Sequence, residues 1–233
     1  MSDPARLAPR RLLAAIRRRV WSRLELCIYS RTADRIRELP NPGRLHRDRW
    51  QDLAQLRAWS YPQLTREQYL DALEGRRGSG VQHLYSLVED GVLVHYGWLI
   101  SPQERAPDEA IGLAFIPPPR SAGLWDYFTH PTARGRGLYG DSLRQCMHDA
   151  VAIDGAQEVF IYVYANNAVS RRVIEKAGFE YRGSLVMERR LFFTRRYATC
   201  ASGQLEVREL AGGRPAHVVC RARRAEPGTL ATI

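Results

Sequence analysis

Lysine is almost missing from this chain. Lys176 is the only one among 35 basic side chains, and the rest are arginine. So lopsided a choice of cation can reflect genome composition as much as chemistry, so the arginines alone say little about nucleic acid. No apolar run reaches the roughly 20 residues a membrane-spanning helix needs. At the N-terminus, "MSDPARLAPRRLLAAIRRRVW" has arginines interrupting its apolar residues, so it does not read as a secretory signal and the expected location is the cytoplasm. The four cysteines, Cys27, Cys146, Cys200 and Cys220, form no CxxC pair, which argues against a zinc site. They are expected to be reduced and mostly buried, and none has the histidine context of a nucleophile. There is no internal repeat.

With 233 residues, 45% hydrophobic, the chain can bury a sizeable core, most simply one domain with appendages. Its net charge of +10 is uneven: residues 1–50 hold 13 arginines and 5 acids, while the remainder is close to balanced. The excess therefore belongs to an N-terminal arm, residues 1–22. Residues 10–23 have the spacing of a basic amphipathic helix, with Leu12, Leu13, Ile16 and Val20 apolar. Such a helix packs on the body, or docks on an acidic protein partner or an anionic membrane surface. Nucleic acid is disfavoured as a partner, because few aromatics interleave with the basic residues.

Hydrophobic periodicity then predicts a strand over 23–31, helices over 45–58 and 65–75 (Thr65 as N-cap, Gly75 as stop), and a hairpin over 81–101 turning at Glu89, Asp90 and Gly91. Strands follow near 111–116 and 122–130. An amphipathic helix begins after Gly137, with Leu138, Leu143, Met147 and Ala150 near one face. Next come a doubly buried strand over 158–165, a short helix with an Asn cap and a Gly stop over 166–178, and a long strand over 179–193. The extension 201–233 offers one strand, "QLEVREL", and otherwise reads as partly loose. The order predicts an α/β fold with a mixed sheet.

Two stretches carry chemistry. In "HPTARGRGLYG", Gly135 and Gly137 stand at the mouth of a helix, where the free N–H groups of the first turn point outward and missing side chains allow close approach. That is how a backbone holds a phosphate. Arg134 or Arg136 can add a charged hydrogen bond. The second stretch is "NNAVSRRVIEKAGFEYRG".

Together these stretches resemble the acyl-CoA-binding signature of the GNAT acyltransferase superfamily. Arg134 and Gly137 match its first half, Tyr139 stands where Gly or Ala is usual, and Gly140 follows one place later. Asn167, Ser170, Glu175, Lys176, Gly178 and Phe179 match the second half. The resemblance covers about residues 81–193 and implies a GNAT-like, mostly antiparallel sheet with a splayed central strand pair, in a domain spanning about 23–200. It implies that the backbone at Gly135, Arg136, Gly137, Leu138, Tyr139 and Gly140 cradles the pyrophosphate of coenzyme A. The strand "LWDYFTH" would offer N–H groups near Tyr127, Phe128 and Thr129 to the thioester carbonyl, and Asn167 would bind the pantetheine or position a water.

Ile174 departs from the family, which often has a tyrosine there to protonate the leaving thiolate. Ser170 or Tyr164 is left as the donor, or the thiolate leaves unassisted. Asp126 is the first choice for the base that takes the amine's proton, with a salt bridge to an arginine as its other role. His95 and His130 follow. Tyr85, Tyr96 and Trp98 line the acceptor side or belong to the core. The expected function is transfer of an acyl group, acetyl by default, from acyl-CoA to a primary amine of a small molecule such as an amino sugar. No metal is expected. Two rivals stay open. One is a long-chain acyltransferase fed by an acidic acyl carrier protein, the other a GNAT module that binds CoA without catalysis.

Overall fold

A computed structural model describes residues 21–59, 61, 63–201 and 205–220. The elements in order are β1 (Trp21–Thr32), α1 (Ala33–Arg37), β2 (His46–Arg47), a 3₁₀ turn (Trp50–Gln55), α2 (Arg66–Arg77), β3 (Gln82–Glu89), β4 (Val92–Ile100), β5 (Ala106–Asp108), β6 (Leu113–Ile116), β7 (Ser121–Thr129), a second 3₁₀ turn (Pro131–Ala133), α3 (Leu138–Ala152), β8 (Glu158–Tyr164), α4 (Ala168–Lys176), β9 (Glu180–Arg190), β10 (Phe193–Cys200), β11 (Glu206–Glu209) and β12 (Val218–Cys220). No helix among the described residues is long and apolar enough to cross a membrane.

The chain divides into two compact units, the larger made of Ile28–Ala106 and Pro117–Tyr181. Its strands run in the order β1–β8–β7–β4–β3–β2, with β2–β3, β3–β4 and β4–β7 antiparallel and β7–β8 parallel. This is the mixed sheet with flanking helices that the element order predicts, and it is mostly antiparallel, as the resemblance implies. On one face the 3₁₀ turn and α2 bring Leu53, Leu56, Tyr69 and Leu73 onto Leu84, Leu93, Tyr96 and Trp98. Elsewhere in the core Leu138, at the start of α3, packs with Val94 and Ala133. β8 is buried on both sides through Val159, Phe160 and Ile161.

The smaller unit holds Met1–Cys27, Pro107–Ile116 and Arg182–Ile233. Within it β6 pairs antiparallel with β11, β9 pairs antiparallel with β10, and β12 lies parallel to β10.

Three expectations change, and a fourth falls mostly outside the described residues. Residues 45–58 are not a helix: β2 adds to the edge of β3, and a 3₁₀ turn follows. Asp48 sits at φ 57°, its N–H donates to Leu84 O, and its carboxylate accepts from Leu84 N, so pairing with β3 outweighs local helix propensity. α2 has its Thr65 cap, completed by Gln68 as a capping box, but runs through Gly75 to Arg77. The strand expected over 179–193 ends at Arg190 and turns into β10. Of the basic helix over 10–23, residues 10–20 lie outside the described residues and 21–23 are the start of β1.

Candidate active site

The site begins with a count of residues between two strands. β7 and β8 pair in parallel from Ser121↔Glu158 to Leu124↔Ile161 and no further, although β7 continues to Thr129 and β8 to Tyr164. The pair therefore opens after Leu124. Immediately beyond lies a β-bulge. Against β4, Trp125 pairs with Trp98 and Phe128 with Tyr96, so Asp126 and Tyr127 together oppose Gly97. Asp126 takes the left-handed backbone at φ 50°, which aspartate tolerates better than most residues. Gly97 has no choice of residue: a Cβ there would run into the Tyr127 ring.

The bulge aims side chains in different directions. The Asp126 carboxylate is 2% exposed and accepts from Arg76 Nη1 at 2.7 Å, so the salt bridge weighed for it is present. The Arg76 guanidinium lies 4.1 Å from the Trp125 ring and 4.7 Å from the Trp98 ring, a cation held between two indoles. Tyr69 and Tyr96 share a 2.6 Å hydroxyl bond beside the carboxylate. The Tyr127 ring packs 5.2 Å from the Tyr139 ring, and burial pushes its phenol well above the ordinary range. Phe128 stacks on Tyr96, and Thr129 Oγ1 bonds His95 Nδ1 at 2.8 Å.

His95 is wholly buried, and burial lowers its pKa to about 3. An imidazole held neutral by burial is a weaker proton acceptor than a free one, which counts against the role of base considered for His95. His130 caps the second 3₁₀ turn, accepting from Thr132 N and bonding its hydroxyl at 2.7 Å. Tyr85, Tyr96 and Trp98 are fully buried and belong to the core.

The mouth of α3 has the form its sequence predicts. Gly135 and Gly137 both sit at φ 79°, and a Cβ on either would meet nothing within 4 Å. Gly137 is the N-cap and no side chain caps the helix. The N–H groups of Leu138, Tyr139 and Gly140 find no acceptor among the described residues, whereas α2 and α4 are capped by Thr65 and Asn167. Donors left this way invite an anion. Around them stand several guanidinium groups. Arg134 donates through Nε to Thr129 O and leaves its two Nη groups without an acceptor among the described residues. Arg136 makes a bidentate pair with Glu89 at 2.7 and 2.8 Å, so Glu89 competes with any phosphate for it. Arg44, which no motif singles out, pairs with Asp141 in the first turn of α3.

On α4, the Asn167 Oδ1 accepts from Ser170 N at 3.1 Å, leaving its amide NH₂ for other work. Ser170 Oγ and Tyr139 OH lie 2.9 Å apart, so the tyrosine at the unusual position reaches across to the second motif. Burial lifts the Tyr139 pKa to about 12. Ile174 is fully buried, and Tyr164 stands 36% exposed at the end of β8. Cys27, Cys146 and Cys200 are buried, and burial raises the Cys146 thiol to about 12. A cleft of about 490 Å³ lies between the first 3₁₀ turn and α2, lined by Asp48, Trp50, Leu53, Leu70, Glu74 and Arg77.

Arg76, Gly97 and Arg44 are the residues sequence reasoning missed. Arg76 is one arginine among many, and its partners lie 22 to 50 positions away. Gly97 carried a signal that could have been used, since a lone glycine inside a strand marks a bulge or a close approach.

A strand pair that opens beside an uncapped, glycine-led helix is the geometry of a coenzyme A acyltransferase fold. The family model described as an acetyltransferase (GNAT) domain matches residues 43–180, and the chain belongs to that family. A search of curated proteins returns no match. Solved structures similar to the chain include a GCN5-related N-acetyltransferase from Sphaerobacter thermophilus (14% identity, 77% of this chain and 56% of that one, TM-score 0.45). A GNAT-family acetyltransferase from Colwellia psychrerythraea matches at 14% identity over 71% of this chain and 55% of its own, TM-score 0.47. The aminoglycoside N-acetyltransferase AAC(6')-Iy in complex with CoA matches at 17% identity over 58% and 90%, TM-score 0.44. The chain thus spans little more than half the length of the Sphaerobacter and Colwellia proteins.

Proposed function

We propose that this protein is an acyl-CoA-dependent N-acyltransferase, with acetyl-CoA as donor and a primary amine of a small molecule as acceptor, acting in the cytoplasm. The observation that carries the reading is the uncapped start of α3. Leu138, Tyr139 and Gly140 present N–H groups behind two left-handed glycines. The residues there fit a pyrophosphate, and Arg134 has donors to spare for a further phosphate. The opening between β7 and β8 beyond Leu124 suits the pantetheine arm.

In the proposed reaction the amine nitrogen attacks the thioester carbonyl carbon directly. Negative charge gathers on the carbonyl oxygen, where N–H donors of β7 at residues 127–129 stabilise it. The C–N bond forms, a proton passes from the nitrogen to Asp126 as the assigned base, the C–S bond breaks and the thiolate leaves. Ser170, held by the Tyr139 hydroxyl, is the donor assigned to that thiolate. With its pKa near 12, Tyr139 keeps its proton at neutral pH and can support Ser170.

Calorimetry with CoA tests the cradle. Gly137→Glu places a bulky anion where the pyrophosphate belongs and should abolish binding in a folded protein; unchanged affinity removes the assignment. A second reading, CoA binding without turnover, is favoured by one observation: Ile174 is buried and has no hydroxyl to offer. Thiol release from acetyl-CoA, longer acyl-CoAs and acyl carrier protein donors across an amine panel separates the two.

The role of Asp126 needs its own test. As a general base its loss through Asp126→Asn should lower turnover about a hundredfold to ten-thousandfold with CoA affinity kept. As the partner of Arg76 alone, the same variant should lower the melting temperature, since breaking a buried pair costs about 3–5 kcal/mol, and keep its specific activity.

A further inference from the structure

The β9–β10 hairpin ends in a sequence that the candidate site does not use: Arg189, Arg190, Leu191, Phe192, Phe193, Thr194, Arg195, Arg196. Three large apolar side chains occupy the tip, and they are the outstanding exposed hydrophobics of the smaller unit. Phe192 is 95% exposed, Phe193 80% and Leu191 60%. The register is closed by Arg190↔Phe193, so Leu191 and Phe192 form a two-residue turn. Leu191 takes φ 51°. Turns of this length favour glycine, asparagine or aspartate at such positions, residues that also suit water. Here leucine and phenylalanine are placed where neither turn chemistry nor hydration wants them.

The flanks are as one-sided as the tip. Four arginines surround it, and none of them makes an ion pair among the described residues. Arg195 lies over the Tyr197 ring, and Arg196 donates to Ile111 O through Nε, which leaves the rest of its guanidinium outward. Glu188, the acid opposite Arg195, is already engaged by Tyr197 and Arg23. Glu188 and Arg195 face each other across the hairpin, and Arg189 pairs with Thr194 one step closer to the tip.

We infer that this hairpin tip is a membrane-surface anchor, in which Leu191, Phe192 and Phe193 enter the interfacial layer of a bilayer while Arg189, Arg190, Arg195 and Arg196 bind anionic lipid headgroups. Charge complementarity selects the partner. Phenylalanine is at home in the apolar side of that layer, and arginine lays its methylene stem along apolar surface while its guanidinium stays with phosphate. Each arginine near an anionic leaflet is worth about fivefold in partitioning. Burying a phenylalanine ring is worth about tenfold or more. One short tip of this kind gives reversible binding, not a fixed insertion. The residues of the anchor belong to the smaller unit and those of the candidate site to the larger.

Flotation of the full chain with vesicles tests this. The wild-type protein should float with vesicles of phosphatidylcholine mixed with phosphatidylserine and stay behind with phosphatidylcholine alone. Phe192→Ala/Phe193→Ala should lose about a hundredfold in partitioning. Arg189→Glu/Arg190→Glu should lose at least about twenty-five-fold. Both should keep the melting temperature and CoA affinity of the wild type. The anchor is overturned if the wild-type protein does not float, or if the aromatic double variant floats as well as wild type, which would hand the attraction to the N-terminal arm. It is equally overturned if the wild-type protein is a dimer that Phe192→Ala/Phe193→Ala converts to a monomer without vesicle binding, because a second copy would then cover the tip.

Discussion

At the scale of single residues, His95 is the group whose chemistry the fold has altered most legibly. It is buried beside Thr129, its Nε2 has no partner among the described residues, and its pKa falls to about 3 from an ordinary 6.5. Above pH 6.5 it is neutral in folded and unfolded chains alike and contributes nothing to pH dependence. As pH falls below 6.5 the unfolded chain takes up a proton that the folded one refuses. Stability is therefore lost between 6.5 and about 3, by at most about 1.4 kcal/mol per pH unit. Chemical denaturation at pH 7 and pH 5 should show this loss, and His95→Gln should flatten it. Nothing in the sequence around His95 distinguishes it from a surface histidine. Its burial comes from β4 lying between two packed faces, a fact of the sheet and not of the neighbouring residues.

At the scale of elements, α2 holds a glycine that its geometry does not need. Gly75 is helical, and a Cβ there would meet nothing within 4 Å. Gly75→Ala should raise stability by about 0.5–1 kcal/mol, read as a higher melting temperature, because glycine in a helix interior costs backbone entropy. The same glycine misleads a reading of the sequence, where it resembles a stop signal, while the true end comes at Gly78. The elements that could be read in advance are those whose signals are local. Thr65 and Asn167 cap, Gly91 turns a hairpin, and Gly137 opens a helix. The errors have distant causes. Asp48 is drawn to the edge of β3, and the turn after Arg190 contains no residue that announces a turn. The candidate cradle was legible because a backbone phosphate site is written in glycine. The Arg76–Asp126 pair was not, because it joins α2 to β7 across 50 positions.

At the scale of the whole molecule, charge and candidate site are separated along the chain. Residues 1–20 carry six arginines against Asp3 alone. The elements of the candidate site lie between residues 66 and 176, within the larger unit. Deleting residues 1–20 should leave a folded protein whose CoA affinity, measured by calorimetry, stays within about twofold of wild type, because the signature motifs of the candidate site begin more than a hundred residues further along the chain. If the arm recruits an acidic carrier protein, the deletion should slow transfer from that carrier, and added salt should slow the full-length protein in the same way. A deletion that prevents folding would place Leu12, Leu13, Ile16 and Val20 in the core.

The bulge at Asp126 and Tyr127 has a consequence at the level of the reading frame of the strand. Two residues stand against Gly97, so the parity of β7 changes at that point. Losing a single codon there would restore one-to-one pairing, with Phe128 still opposite Tyr96 and Thr129 still opposite His95, and would remove the extra bend and twist that a bulge gives its strand. Straightened, the end of β7 would be free to go on pairing with β8 past Leu124. A protein with every motif residue from Arg134 to Phe179 intact would then keep the proposed phosphate cradle and lose the gap proposed for the rest of the donor. What the family's signature motifs describe is half of the proposed site; the other half is one extra residue in a strand.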